Sequence, residues 1–161
     1  MKTAVLGSGG WGTALALVLL ENGNDVTLWS YFDEESKVLQ ETGENPMLEG
    51  VPLPKELHLT SDLSCVKGCG VVVLATPSFA VRTTARNLAG VLDKGTVVVS
   101  VSKGIEKDTS MTLTDVIEAE LGPGYPVVAL CGPSRAEEGG RKVPTAGVSG
   151  SKGQEAGVLG R

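Results

Sequence analysis

Six residues near the start of the chain, Gly7-Ser8-Gly9-Gly10-Trp11-Gly12, have the spacing G-x-G-x-x-G. They follow a short β-branched run and precede an apolar helical one, the setting in which this spacing points to dinucleotide binding. Each glycine then has its own physical task. Gly7 permits a tight turn, Gly9 lets backbone approach a pyrophosphate, and Gly12 lets the helix pack closely on the sheet. A helix starting at Gly10 also turns free N–H groups toward the anion. The plain alternative is a glycine-rich turn that holds nothing.

Three further groups stand where strands end: Ala75-Thr76-Pro77-Ser78, Val101-Ser102-Lys103-Gly104 and Cys131-Gly132-Pro133-Ser134. Parallel strands all point one way, so these groups share the carboxyl edge with the glycine loop, where doubly wound folds place ligands. Lys103 is the cation placed immediately after a strand, and its ammonium could hold a phosphate or a carbonyl oxygen. A solvated surface charge is the other reading of a lone lysine. Gly132 and Ser134 could offer backbone and hydroxyl donors beside it, although Gly-Pro-Ser is also a turn sequence. The choice between dinucleotides is read after the second strand, where an acid bonds the ribose hydroxyls and an arginine favours a 2′-phosphate. Here the chain runs Leu28-Trp29-Ser30-Tyr31-Phe32-Asp33-Glu34, with neither at the strand end. Tyr31 or Phe32 could stack on adenine or simply pack, and Asp33 could equally cap the next helix.

The elements that must position these residues follow from periodicity. Short β-branched runs occur at 3–6, 25–30, 71–75, 96–101 and 127–131, separated by helical patterns. The first helix is expected at 10–21 with Gly23 as its C-cap, and the second at 33–41. A third covers 78–92 with Ser78 as N-cap, its apolar stripe formed by Val81, Ala85, Leu88 and Leu92 and its other face by Arg82 and Arg86. A fourth covers 108–121, capped by Asp108 or Thr109. Runs such as Val71-Val72-Val73-Leu74-Ala75 suit a parallel sheet covered on both faces. The expected fold class is therefore α/β, a Rossmann-type doubly wound parallel sheet in a single domain. The segment 42–60, with Pro46, Pro52 and Pro54, reads as a loop excursion in which only 58–60 adds a short strand. Residues 1–150 are assigned to the binding domain. Glycine recurs at Gly139, Gly140, Gly147, Gly150, Gly153, Gly157 and Gly160, so 151–161 is expected to be a weakly ordered tail, with one strand conceivable around 145–148.

Composition narrows the partners. The 161 residues include 14 Lys plus Arg against 19 Asp plus Glu, a net charge of -5, which lacks the basic footprint of nucleic-acid or anionic-membrane binding. Small molecules are the better expectation. Apolar residues at 41% and charged ones at 20% describe a globular chain. The glycines break the apolar stretch that ends at Leu20, leaving neither a secretory signal nor the ~18 apolar residues of a membrane span. The three cysteines and the single histidine, His58, form no metal-ligand pattern, so no metal site is expected. Cys65, Cys69 and Cys131 read as core or loop residues, and an odd count without a disulfide framework suits the cytoplasm.

Taken together, the motifs resemble the N-terminal half of bacterial NAD(P)-dependent glycerol-3-phosphate dehydrogenase. The resemblance rests on Gly7 to Ala14, Val26-Thr27-Leu28-Trp29, the 45–57 loop with Gly50 and Leu53-Pro54, and Thr60-Ser61-Asp62-Leu63. It continues through Ala75-Thr76-Pro77-Ser78, Ser102-Lys103-Gly104-Ile105-Glu106 and Gly132-Pro133-Ser134. The last two motifs are far more specific than the glycine fingerprint. The resemblance implies reversible hydride transfer between NAD or NADP and dihydroxyacetone phosphate, giving sn-glycerol 3-phosphate for phospholipid synthesis. It implies cofactor contacts at Gly7, Gly9, Gly10, Trp11, Gly12, Tyr31, Lys103 and Ala136, and substrate contacts at Lys103, Gly132 and Ser134. Gly10 stands where the family commonly has serine, Tyr31 lies where it often has an arginine reading the NADP phosphate, and Gly139-Gly140 interrupt a stretch that is normally helical. The family also carries a helical second domain with the proton-transferring lysine. The resemblance places that lysine beyond Arg161, so no catalytic acid or base is expected among residues 1–161. The expectation for these 161 residues is thus a cofactor domain inactive by itself, prone to pair as a homodimer through apolar surface that the second domain would cover. The alternatives are a stand-alone NAD(P)-binding module without catalysis, and a dehydrogenase of the 3-hydroxy-acid or 6-phosphogluconate type.

Overall fold

The computed structural model describes residues 1–102, 104–131 and 148–151. Strands and helices alternate as β1 (Lys2–Leu6), α1 (Gly10–Glu21), β2 (Asp25–Trp29), α2 (Asp33–Thr42), β3 (His58–Thr60), β4 (Val71–Leu74), α3 (Val81–Leu88), β5 (Val97–Ser100), α4 (Leu113–Leu121), β6 (Val127–Cys131) and β7 (Val148–Ser151). They form one sheet in the order β3-β2-β1-β4-β5-β6-β7. The first six strands are parallel, and β7 runs antiparallel along β6. The sheet grows outward from β1 in one direction and from β4 in the other, so the chain changes direction between them. Such a switch point opens a crevice at the carboxyl ends of its two strands.

Alternation along the strands covers both faces. Ala4, Leu6, Val72 and Leu74 point to the layer that holds α3 and α4, where they meet Val81, Ala85, Leu88, Val116 and Ile117. Val5, Leu28, Val73 and Val99 point the other way, onto Ala16 of α1 and Leu39 of α2. The all-apolar strands are explained by these two cores.

Some local expectations change. The third helix opens as a 3-10 turn at Ser78–Ala80 with Pro77 in the cap position, so Ser78 is no N-cap. Pro77, at φ -56 and ψ 151, keeps the chain extended until Ser78 enters the turn. The fourth helix starts at Leu113 rather than 108, because Ser110 adopts φ 57 and Thr112 supplies the cap by accepting from the Asp115 amide. Asn22 caps α1, with Gly23 following at φ 87. Phe32, not Asp33, caps α2. The strand conceivable around 145–148 is β7, starting at Val148, and it departs from the all-parallel expectation. The rest of the tail, from 152 to Arg161, lies outside the described residues. No helix among the described residues is long and apolar enough to cross a membrane.

Candidate functional site at the switch point

The glycine loop joins β1 to α1 directly above β4. Gly7 has φ 120, and a Cβ there would stand 2.6 Å from the Ala75 carbonyl oxygen. A Cβ on Gly12 would stand 2.0 Å from the Gly7 carbonyl oxygen and 3.1 Å from Ala75 Cβ. Only bare backbone lets the loop, the helix and the β4 end approach so closely. Gly9 differs, because a Cβ built there meets nothing within 4 Å. Two glycines thus close the turn, and the third leaves space above it.

That space is a cleft of about 850 Å³. Its floor is the glycine loop from Gly7 to Gly12, and one wall is Ala75-Thr76-Pro77 with Thr83 and Thr84 of α3. Val101 and Ser102 close the far side, while Trp29, Tyr31 and Phe32 form the near one. Ser102 Oγ donates to the Thr76 carbonyl at 2.6 Å, tying the loop after β5 to the loop after β4. Thr76 Oγ1 is buried and has no hydrogen-bond partner among the described residues, which leaves one polar group on the wall unspent. Bare loop backbone at a helix N-terminus, open space over Gly9 and an unused hydroxyl fit a pyrophosphate-bearing ligand.

The loop after α2, one of the segments that carry the resemblance, supplies a support whose role its spacing does not announce. Leu48 and Val51 pack on Ala14 of α1, and this brings Asn45 to the glycine loop. Asn45 Nδ2 donates to the Ser8 carbonyl at 2.8 Å and to Thr13 Oγ1 at 2.7 Å, while its Oδ1 accepts from the Met47 amide at 2.9 Å. The sequence signals it by an asparagine at the head of a proline-rich excursion and by that excursion's share in the resemblance.

On the near side, Tyr31 and Phe32 are exposed and meet edge to face at 4.9 Å, and the Tyr31 ring stands 6.0 Å from Trp29. Asp33 is engaged elsewhere. Lys37 pairs with it at 2.9 Å and Ser61 Oγ donates to it at 2.9 Å, and together they hold its carboxyl below the usual carboxylate range. Glu35 reaches the cleft instead, its Oε2 accepting from Ser8 Oγ at 3.4 Å.

On the far side, the run 102–106 is anchored from two ends. Ser102 holds Thr76, and Glu106 takes a bidentate pair of bonds from Arg82, Nε at 2.8 Å and Nη2 at 2.7 Å. Arg82 Nη1 also donates to Glu120 of α4 at 2.7 Å, and Arg86 adds a second guanidinium to that carboxylate at 3.2 Å. Gly104, with φ 106, turns the chain between the two anchors.

His58 lies at the sheet edge, 3.2 Å from Asp25 and away from the cleft. Burial pushes the Cys65 thiol up to about 11 and raises that of Cys69, so neither is a thiolate nucleophile at neutral pH. No group of three or more potential metal ligands occurs among the described residues.

The sequence matches, over residues 2–157, the family model described as the NAD-dependent glycerol-3-phosphate dehydrogenase N-terminus. The chain belongs to this family. It is 42% identical over 156 residues to the glycerol-3-phosphate dehydrogenase (NAD(P)+) of Agathobacter rectalis, covering 96% of this chain and 46% of that one. It is 51% identical over 145 residues to the enzyme of the same name from Moorella thermoacetica, covering 88% of this chain and 42% of that one. The crystal structure of glycerol-3-phosphate dehydrogenase from Coxiella burnetii superposes with a TM-score of 0.89 at 34% identity, covering 96% of this chain and 47% of that one. The chain therefore spans about half the length of the curated relatives it matches.

Of the site residues expected from this dehydrogenase family, Gly7, Gly9, Gly10, Trp11, Gly12 and Tyr31 line the one cleft. Lys103, Gly132, Ser134 and Ala136 lie outside the described residues. Asn45, Glu35 and the Arg82–Glu106 pair are additions the structure makes.

Proposed function

We propose that the cleft binds NAD or NADP as the dinucleotide domain of a glycerol-3-phosphate dehydrogenase. The observation that carries this reading is the division of labour in the glycine loop, where Gly7 and Gly12 are sealed by backbone while the space over Gly9 stays open. The N-terminus of α1 would hold the pyrophosphate, with Asn45 fixing the loop beneath it. Lys103 would contact both cofactor and substrate, Ala136 the cofactor, and Gly132 and Ser134 the phosphorylated substrate. The nicotinamide supplies the hydride exchanged with the ketone carbon of dihydroxyacetone phosphate, giving sn-glycerol 3-phosphate, a phospholipid precursor. Developing alkoxide charge needs a proton donor. The family resemblance gives proton transfer to a lysine of a second domain, and because this chain spans about half the length of its curated relatives, turnover is assigned to the whole enzyme. The free thiols of Cys65 and Cys69 accord with a cytoplasmic setting. Phe79, 88% exposed at the cleft mouth, would favour pairing of two copies as a homodimer.

The chain's two tryptophans, Trp11 and Trp29, both line the cleft, which makes the test direct. Titration with NADH should quench tryptophan emission saturably while nicotinamide emission appears by energy transfer. A cooperatively folded chain that shows neither change with NADH or NADPH would overturn the reading.

A further inference from the structure

We propose that this chain selects the dinucleotide without a 2′-phosphate, and that Glu35, backed by Tyr31 and Phe32, makes the selection. The inference rests on the dinucleotide reading above and sharpens it. In doubly wound folds the adenosine ribose is met about 20 residues past the glycine loop, beyond the second strand. In this chain that place is the first turn of α2.

Charge there has one sign. Among the described residues lining the cleft, Glu35 is the single charged side chain. Its carboxylate is located by the 3.4 Å bond from Ser8, a residue of the glycine loop itself, so it stands on the adenosine side of the pyrophosphate position. The run Ser30-Tyr31-Phe32-Asp33-Glu34-Glu35 contains no cation. The next one, Lys37, is paired with Asp33 at 2.9 Å, and Asp33 is further occupied by Ser61. A helix N-terminus can itself attract phosphate, but Asp33, Glu34 and Glu35 fill the first turn of α2 and oppose a further anion. A 2′-phosphate would therefore meet a carboxylate with no counter-charge among the described residues of the cleft. A free 2′-hydroxyl would instead donate to that carboxylate, which accepts more than the one bond Ser8 gives it. Tyr31 and Phe32, 63% and 60% exposed, add ring surface for the adenine face and no cation for a phosphate.

The test is a pair of titrations of the 161-residue chain, with NADH and with NADPH at low salt, read by tryptophan emission. NADH should bind at least about tenfold more tightly, with the margin narrowing in high salt as the repulsion is screened. Equal binding, or tighter NADPH, overturns the selection while leaving the dinucleotide reading in place. Binding of neither overturns both. Glu35 is exposed, so Glu35→Lys should keep the far-UV spectrum of the parent, with a thermal midpoint lowered by only a few degrees through the cation placed in the first turn of α2. The variant should bind NADPH at least about fivefold more tightly than the parent does and NADH more weakly, and Glu35→Gln should fall between. A Glu35→Lys protein with the parent's ratio of the two affinities overturns the role assigned to Glu35.

Discussion

The two loops that flank the cleft are held in opposite ways. The glycine loop is fixed by what its side chains lack, since Gly7 and Gly12 let backbone pack on backbone, and by one neutral amide, Asn45. The 102–112 loop is fixed by charge, through Arg82 bridging Glu106 and Glu120 with Arg86 in support. One loop forms the cleft floor, where the N–H groups of a helix start stand in place of fixed cations. The other is held at Glu106, where Arg82 ties the loop to α3 and, through Glu120, to α4. The difference teaches that a cleft can be rigid on both sides and yet be sensitive to volume on one and to pH on the other.

The largest effect is expected on the volume-sensitive side. Gly12→Ala drives a Cβ to 2.0 Å from backbone that cannot retreat without moving β1, and should cost about 3 kcal/mol or more, or abolish folding. Gly9→Ala is the matched control. At φ -66 with open space around it, alanine should cost at most about 1 kcal/mol, mainly through the weaker cap, while dinucleotide affinity falls at least about tenfold. Urea denaturation and NADH titration of both variants separate the roles. Equal losses of stability would mean that the two glycines do not divide the labour described.

Asn45 should rank next. Asn45→Ala leaves the Ser8 carbonyl and the Thr13 hydroxyl only the 3.4 Å bond that Thr13 Oγ1 donates to Ser8, and frees the Met47 amide, which should cost about 1–2 kcal/mol. Asn45→Asp keeps the acceptor for Met47 but puts a carboxylate oxygen against the Ser8 carbonyl. It should weaken NADH binding more than Asn45→Ala weakens it, because negative charge is added beneath the pyrophosphate position. If both variants bind NADH as the parent does, Asn45 supports the fold and not the loop's shape.

Legibility in the sequence follows the same division. Strands, the order of elements and the glycine loop are readable because period and glycine spacing are local properties; β1 and α1 fall within a residue of their expected limits. Helix starts are less so. Ser78 and Asp108 look like caps, but Pro77 and the left-handed Ser110 delay the helical path, and those are backbone decisions made by neighbours. Asn45 and Glu106 stand in segments that carry the resemblance, but what they hold is hidden for another reason. Their partners, Ser8 and Arg82, are distant in sequence, and nothing local distinguishes a buried amide or a paired carboxylate from a solvated one. Periodicity separates Arg82 and Arg86 from the apolar stripe of their helix, yet it cannot say that two glutamates meet them. Glu35, the single charged side chain lining the cleft among the described residues, shows in the sequence only as one of three acids at the start of a helix.

The smallest effect belongs to the charged side and depends on pH. Arg82, and then the Thr109 hydroxyl, hold the Glu106 carboxyl down to about 2 from an ordinary 4.5, and Arg86 with Arg82 lowers that of Glu120. A folded pKa below the unfolded one means that the unfolded chain binds more protons through this window, so stability falls as the solution is acidified. The contribution is fully present above about 4.5 and is lost as pH falls through about 2. Side chains 28% and 20% exposed are partly screened by water, which keeps the effect modest. Hydrogen exchange locates it: protection of the Glu106 and Ser110 amides, which bond within the 106–111 turn, should drop between pH 4.5 and about 2 before that of the Thr13 amide on Gly9. Glu106→Gln should flatten the acid limb of the thermal midpoint while leaving its neutral value slightly lower. Loss of Thr13 protection in step with Ser110 would show that the two loops open as one unit, and the contrast between a volume-fixed and a charge-fixed side of the cleft would not hold in acid.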